Sequence, residues 1–141
     1  ILVAASGADK TGLLESLVAA ACAGHGLGDP APFLARVRER EEGISTTLDT
    51  GLSLPHARMD GLDGIVAALA VAPHGVADPK QPGLKIRAMF LFFSPNRQEA
   101  FTLHLQLLRG VSTMFQPAFI DELVKARNPE AIMELLRLRA T

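Results

Sequence analysis

"LKIRAMFLFFS", residues 84–94, is the stretch that decides the fold. It is too short for a membrane span and rich in β-formers, with apolar residues at both parities rather than at alternate positions. A strand with one wet face alternates, whereas a strand covered on both faces does not. "GIVAALAVAP", residues 64–73, has the same character. Two such runs predict central strands of a sheet packed between helices. The flanks supply those helices. "KTGLLESLVAAACAGHG", 10–26, places Leu13, Leu14, Leu17 and Val18 at helical spacing and ends in glycines. "GDPAPFLARVREREEG", 28–43, opens on Asp29 and Pro30 and stops at Gly43. "NRQEAFTLHLQLLRGVSTMF", 96–115, predicts a long helix, and Pro117 and Pro129 open two more. Between the second helix and the first apolar run, 45–54 reads as a short strand and a loop. "HGVADPKQPG", 74–83, reads as a mobile connection. The expected fold is α/β: a single layered domain over residues 1–141, with a mixed central β-sheet flanked by helices on both faces.

Bulk composition narrows the function classes. The chain has 141 residues, a formal net charge of −1, 48% hydrophobic and 21% charged residues. That is a globular domain with no broad basic footprint for nucleic acid. Cys22 is the only cysteine and lies in the apolar helical run "LVAAACAG", so an internal disulfide is excluded and a buried, inert thiol is expected. A reducing compartment, the cytoplasm, is the expected location. No apolar run has the length of a membrane span. Ile1 stands where an initiator methionine would, which reads as a chain trimmed from a longer protein or one domain of it.

Chemistry-bearing motifs are few. There is no H-x-x-x-H, H-E-x-x-H or C-x-x-C, so no metal site is expected. Neither G-x-x-x-x-G-K-[ST] nor G-x-G-x-x-G is present, and no organic cofactor is expected. "GLSLP" keeps the glycine and serine of a nucleophile elbow but has Pro55 where the second glycine belongs. Of the four histidines, His25 follows a helix end and reads as a solvated cap, and His74 sits at a strand end. His104 stands between Leu103 and Leu105 on a largely apolar helix, where a half-buried ring bonded to a carbonyl is the ordinary reading. His56, in "GLSLPHAR", follows Pro55, which fixes its own φ and pushes Leu54 toward extended geometry. A ring held stiffly on a loop suits a group that must point one way, and it suits an ordinary turn as well.

The stretch "REEGISTTLDTGLSLPHAR", 40–58, resembles the phosphorylation-site signature of enzyme IIA domains of the phosphoenolpyruvate-dependent sugar phosphotransferase system. The class is the fructose/mannitol one, which includes the nitrogen-regulatory IIA proteins. Its signature runs Arg-Glu, a short gap, Ser/Thr-Thr, a gap, then Gly-x-Ala-Ile-Pro-His. Arg40, Glu41, Ser45, Thr46, Gly51, Pro55 and His56 match in register, with Ser53 and Leu54 in place of Ala-Ile. "EAFTLHLQLLRGVS" resembles the family's second histidine segment, with His104 as that histidine.

The resemblance implies that His56 is the phosphoryl acceptor, with His104 and Arg40 close by; an acceptor served by another protein is expected to be exposed. Thr46, Ser45 and the backbone near Gly51 are then expected to help stabilise the phosphate. It further implies a histidine-containing phosphocarrier protein as donor and an enzyme IIB domain as acceptor. A regulatory protein controlling targets through its phosphorylation state remains an alternative. So does an interaction domain that keeps only the fold. Arg58 is left between partner binding and a role like that of Arg40. Neutral imidazole is a good nucleophile near its ordinary pKa of about 6.5, and phosphoryl transfer depends mainly on positioning and charge stabilisation.

Overall fold

A computed structural model of the chain describes residues 1–4, 7–43, 46–126 and 128–140. The elements are β1 (Leu2–Val3), α1 (Lys10–Gly24), α2 (Ala31–Gly43), β2 (Leu52–Ser53), β3 (His56–Met59), β4 (Val66–Ala77) and β5 (Lys85–Pro95). A 3₁₀ turn (Gln98–Ala100), α3 (Phe101–Met114), α4 (Pro117–Ala126) and α5 (Pro129–Ala140) complete the chain. The mixed sheet runs β1-β4-β5-β2, with β3 also on β5.

The two apolar runs are the sheet's centre. β4 and β5 pair antiparallel, and their alternate residues feed two cores. Ala70, Ala72, Met89, Leu91 and Phe93 face α1 and α2, packing with Leu17, Val18, Phe33 and Val37. Leu69, Val71, Ala88 and Phe92 face the other way, onto Val111, Phe115, Ile120, Leu123 and Ile132 of α3–α5. Apolarity at both parities thus has its physical cause in two covered faces. The large side chains buried there contribute about 1.5–3 kcal/mol each.

Short local signals set the helix starts. The Asp9 carboxylate accepts from the Gly12 N–H at the start of α1, and that of Asp29 from the Ala31 N–H at the start of α2. Asn128 does the same for Ala131 in α5. His25 is the C-cap of α1, as a solvated cap requires, and Cys22 is buried with its thiol pushed up by desolvation.

Two expectations need correction, and one short strand went unread. The strand read as ending at 73 continues through His74 to Ala77, so the first part of the supposed mobile connection is strand. The sequence hides this because the pairing shifts register between Val71 and Val76, where Gly75 adopts φ 72°. The unread strand, β1, pairs parallel with β4 on too few residues to leave a period of its own. The second correction is that His56 lies on a strand, not on a loop. Leu52 and Ser53 pair with Ala88 and Met89, and His56 to Met59 pair with Phe92 to Pro95, at one constant offset. β2 and β3 are therefore one edge strand, interrupted where Pro55 has no N–H to give. The Pro55 carbonyl still accepts from the Phe92 N–H at 3.2 Å.

Candidate active site

The interrupted edge strand carries His56 into a depression of about 550 Å³. Its lining includes Arg36, Glu39 and Arg40 from α2, His56 and Arg58 from β3, and Phe101 and His104 from α3. His56 is 6% exposed, so the expectation of an open acceptor is corrected as well. The pleat explains the burial. His56 pairs with Phe92, and the two rings stack with centroids 5.4 Å apart and planes 12° apart. His104, also 6% exposed, closes over them, its centroid 5.4 Å from His56 and 5.2 Å from Phe92.

Hydrogen bonds orient the first ring. Nδ1 of His56 lies 2.7 Å from the Leu54 carbonyl oxygen. A carbonyl only accepts, so Nδ1 carries the proton and the lone pair resides on Nε2. The residue stiffened by Pro55 is thus the one that sets the tautomer of His56. On the second ring, Nδ1 of His104 lies 2.5 Å from the hydroxyl of Ser94, two residues beyond Phe92 on the same face of β5.

Both rings are kept neutral. Burial lowers the His56 pKa most, and Arg40 lowers it further, against opposing effects of the Leu54 hydrogen bond and Glu41. His104 is held down to about 4, first by burial, then by its interaction with the neighbouring His56 imidazole and by the charges of Arg58 and Arg40. Its place in the first turn of α3 adds the positive end of a helix dipole. A ring that is harder to protonate folded than unfolded makes the unfolded chain bind more protons in acid. Stability therefore falls as pH drops from 6.5 toward about 4. His104→Gln is expected to flatten that fall, so urea unfolding at pH 7 and pH 5 should separate the variant's midpoints less than those of the parent chain.

Arg40 lines the pocket from the last turn of α2, where a cation also suits the helix end. Arg58 donates to the backbone carbonyls of Pro95 and Arg97, and its guanidinium lies 5.2 Å from the Phe101 ring centroid. Phe101, about half exposed, puts an apolar ring in the lining on the α3 side, and Leu103 and Leu105 of the same helix are also about half exposed.

The remaining expected phosphate-stabilising residues serve the structure behind the site. Thr46 donates its hydroxyl to Glu41, and the Gly51 N–H donates to Leu48 at 3.1 Å while Gly51 holds φ 94°. Neither lines the pocket. Ser45 falls outside the described residues. Ser53, standing where the related signature has alanine, is buried with no partner for its hydroxyl among the described residues.

Sequence reading missed the network beneath Arg40. Lys10 Nζ lies 3.2 Å from both Glu41 and Asp78, Thr47 donates to Asp78, and Lys80 donates to the Glu41 carbonyl. These contacts tie the end of α2 to the start of α1, to the segment before β2 and to the β4–β5 turn. Nothing local in the sequence connects residues so far apart. Ser94 was also missed; the available signal was a hydroxyl ending an otherwise apolar strand.

The chain matches the family described as "Phosphoenolpyruvate-dependent sugar phosphotransferase system, EIIA 2" over residues 1–138. Its fold is similar to that of nitrogen regulatory protein IIA-Ntr from Neisseria meningitidis, with TM-score 0.80, 21% identity, 96% of this chain covered and 90% of that one. It is similar to IIA mannitol from Escherichia coli, with TM-score 0.75, 16% identity and coverage of 95% and 94%. It is also similar to the mannitol IIA enzyme of Escherichia coli in complex with its phosphorylated IIB, with TM-score 0.73, 16% identity and coverage of 96% and 99%. Among curated protein sequences none matches.

Proposed function

The chain belongs to the EIIA 2 family of the phosphoenolpyruvate-dependent sugar phosphotransferase system, and from that membership we propose that it carries a phosphoryl group on Nε2 of His56. The observation that supports this most is the bond from His56 Nδ1 to the Leu54 carbonyl, which leaves Nε2 unprotonated beside His104 in an arginine-lined pocket. The donor is a phosphohistidine of a small phosphocarrier protein. Nε2 of His56 attacks the phosphorus, the N–P bond of the donor breaks, and its electron pair stays with the donor imidazole. His56 keeps its proton on Nδ1, donated to the Leu54 carbonyl, so its phosphorylated ring is cationic, and the donor ring, protonated on its free nitrogen, leaves as neutral imidazole; no separate base is required. One N–P bond replaces another, and the protein's task is positioning and charge stabilisation.

The transferred group brings about −1.5 to −2 charges by analogy with other phosphorylated side chains. Arg40 supplies charge-assisted hydrogen bonds to it. Arg36 and Arg58 add positive potential, and the neutral second imidazole donates an N–H. The exposed apolar residues of α3 give a transient partner a surface to dock on. The onward acceptor is an enzyme IIB domain, as in the mannitol complex, where IIA is bound to phosphorylated IIB. Such a carrier works in the cytoplasm, where phosphoenolpyruvate is made. Among the described residues no helix is long and apolar enough to cross a membrane. A regulatory role, as the name of the Neisseria relative states for that protein, would use the same site with a different acceptor.

The test is incubation with enzyme I, phosphocarrier protein and phosphoenolpyruvate, followed by intact mass. One added phosphoryl group is expected, and it should pass to a IIB domain on mixing. A mass that never changes with a cognate donor overturns the carrier reading and leaves an interaction domain. Uptake without transfer to any IIB domain favours the regulatory one.

A further inference from the structure

We propose that Ser94 is a positioning residue: its hydroxyl donates to Nδ1 of His104 and so holds the second imidazole in the tautomer that carries its proton on Nε2. The distance is 2.5 Å, and both partners are buried, Ser94 completely. Geometry alone allows either direction, since a hydroxyl both donates and accepts. Satisfying every polar atom decides between them. If Nδ1–H donated to Ser94, the serine proton would need a second acceptor. Among the described residues the Ser94 hydroxyl makes no other hydrogen bond. A buried O–H left without an acceptor costs about 1–3 kcal/mol. With the hydroxyl donating to Nδ1, the serine proton has its acceptor, and Nε2 of His104 is not among the buried atoms left without a partner.

The sheet makes this arrangement rigid. Phe92 and Ser94 share a face of β5; Phe92 carries the ring of His56 and Ser94 holds the ring of His104. One strand therefore orients both imidazoles, and each has its Nδ1 tied down behind the pocket. The consequence for transfer rests on the carrier reading. An unprotonated Nε2 on His56 then meets an Nε2–H on His104, a nucleophile beside a neutral donor. The opposite tautomer of His104 would set two lone pairs against an incoming anion.

The test begins with the unphosphorylated, ¹⁵N-labelled chain and two-bond ¹⁵N–¹H spectra of its histidine rings. The parent chain is expected to show His104 with Nδ1 unprotonated and Nε2 protonated. In Ser94→Ala the two ring nitrogens should move toward each other in shift, as the Nδ1–H form gains population. Ser94→Thr, which keeps the hydroxyl, should restore the parent pattern. Phosphoryl uptake should slow about tenfold in Ser94→Ala, the equivalent of one ordinary hydrogen bond, and recover in Ser94→Thr. A parent spectrum with Nδ1 protonated overturns the proposal, as does a Ser94→Ala spectrum identical to the parent's. The tautomer measurement needs no phosphate, so a chain that takes up none would end the carrier reading while leaving this result in force.

Discussion

His56→Ala is expected to take up no phosphoryl group from the phosphocarrier protein, a fall in rate of at least about 10⁴-fold, because the attacking atom itself is gone. His104 stays in the pocket of that variant, so the experiment also asks whether the second ring can replace the first. It should not. Its Nδ1 is bound to Ser94, and its Nε2 is assigned a proton rather than a lone pair. Removing the ring also opens a space against Phe92, on which it stacks, and such cavities destabilise a fold. His56→Gln keeps most of the volume and should be equally inactive. Both variants are to be compared with the parent chain by circular dichroism, and uptake is read by intact mass. Phosphate on either variant would move the acceptor away from His56.

The largest effect on stability is expected from Lys10→Met. Lys10 bridges Glu41 and Asp78 at 3.2 Å each, with side chains 13%, 10% and 0% exposed respectively. Removing a shared cation from two covered carboxylates leaves like charges facing each other in low dielectric. Breaking a buried pair in this way costs about 3–5 kcal/mol; the partial access of water to Lys10 places the expected loss near 3 kcal/mol. Urea unfolding checks it, and Asp78→Asn added to Lys10→Met should recover part of the loss. Because Glu41 is next to Arg40, phosphoryl uptake by Lys10→Met should also slow, under conditions where the variant is still folded. A loss under about 1 kcal/mol would mean that the cluster behaves like an exposed ion pair.

Which features could be read from the sequence follows from the range of the interaction that creates each. The two sheet-centre runs were legible because double-sided burial leaves apolar residues at both parities, as in "AMFLFF", 88–93. The starts of α2, α4 and α5 were legible because Asp29 with Pro30, Pro117 and Pro129 act locally on the first turn, whereas the caps Asp9 and Asn128 went unread. The tail of β4 was not legible, since a register shift at Gly75 looks like a turn. His56 and His104 were singled out through the local motifs that carry the family resemblance. Their packing on Phe92 was not, because the pairing of His56 with Phe92 joins residues far apart in the chain. The same distance hid Ser94 and the Lys10 network. It also explains the mistaken expectation of an exposed acceptor: Pro55 speaks for stiffness, whereas exposure is decided by α3 closing over the ring.

The most direct measurement is the identity of the phosphorylated nitrogen. The ¹⁵N-labelled chain, phosphorylated through enzyme I and the phosphocarrier protein, is to be examined by long-range ¹⁵N–¹H and ³¹P spectra. Phosphorus on Nε2 of His56, with Nδ1 still protonated, is the expected result. Phosphorus on Nδ1 of His56, or on His104, would contradict the site as described.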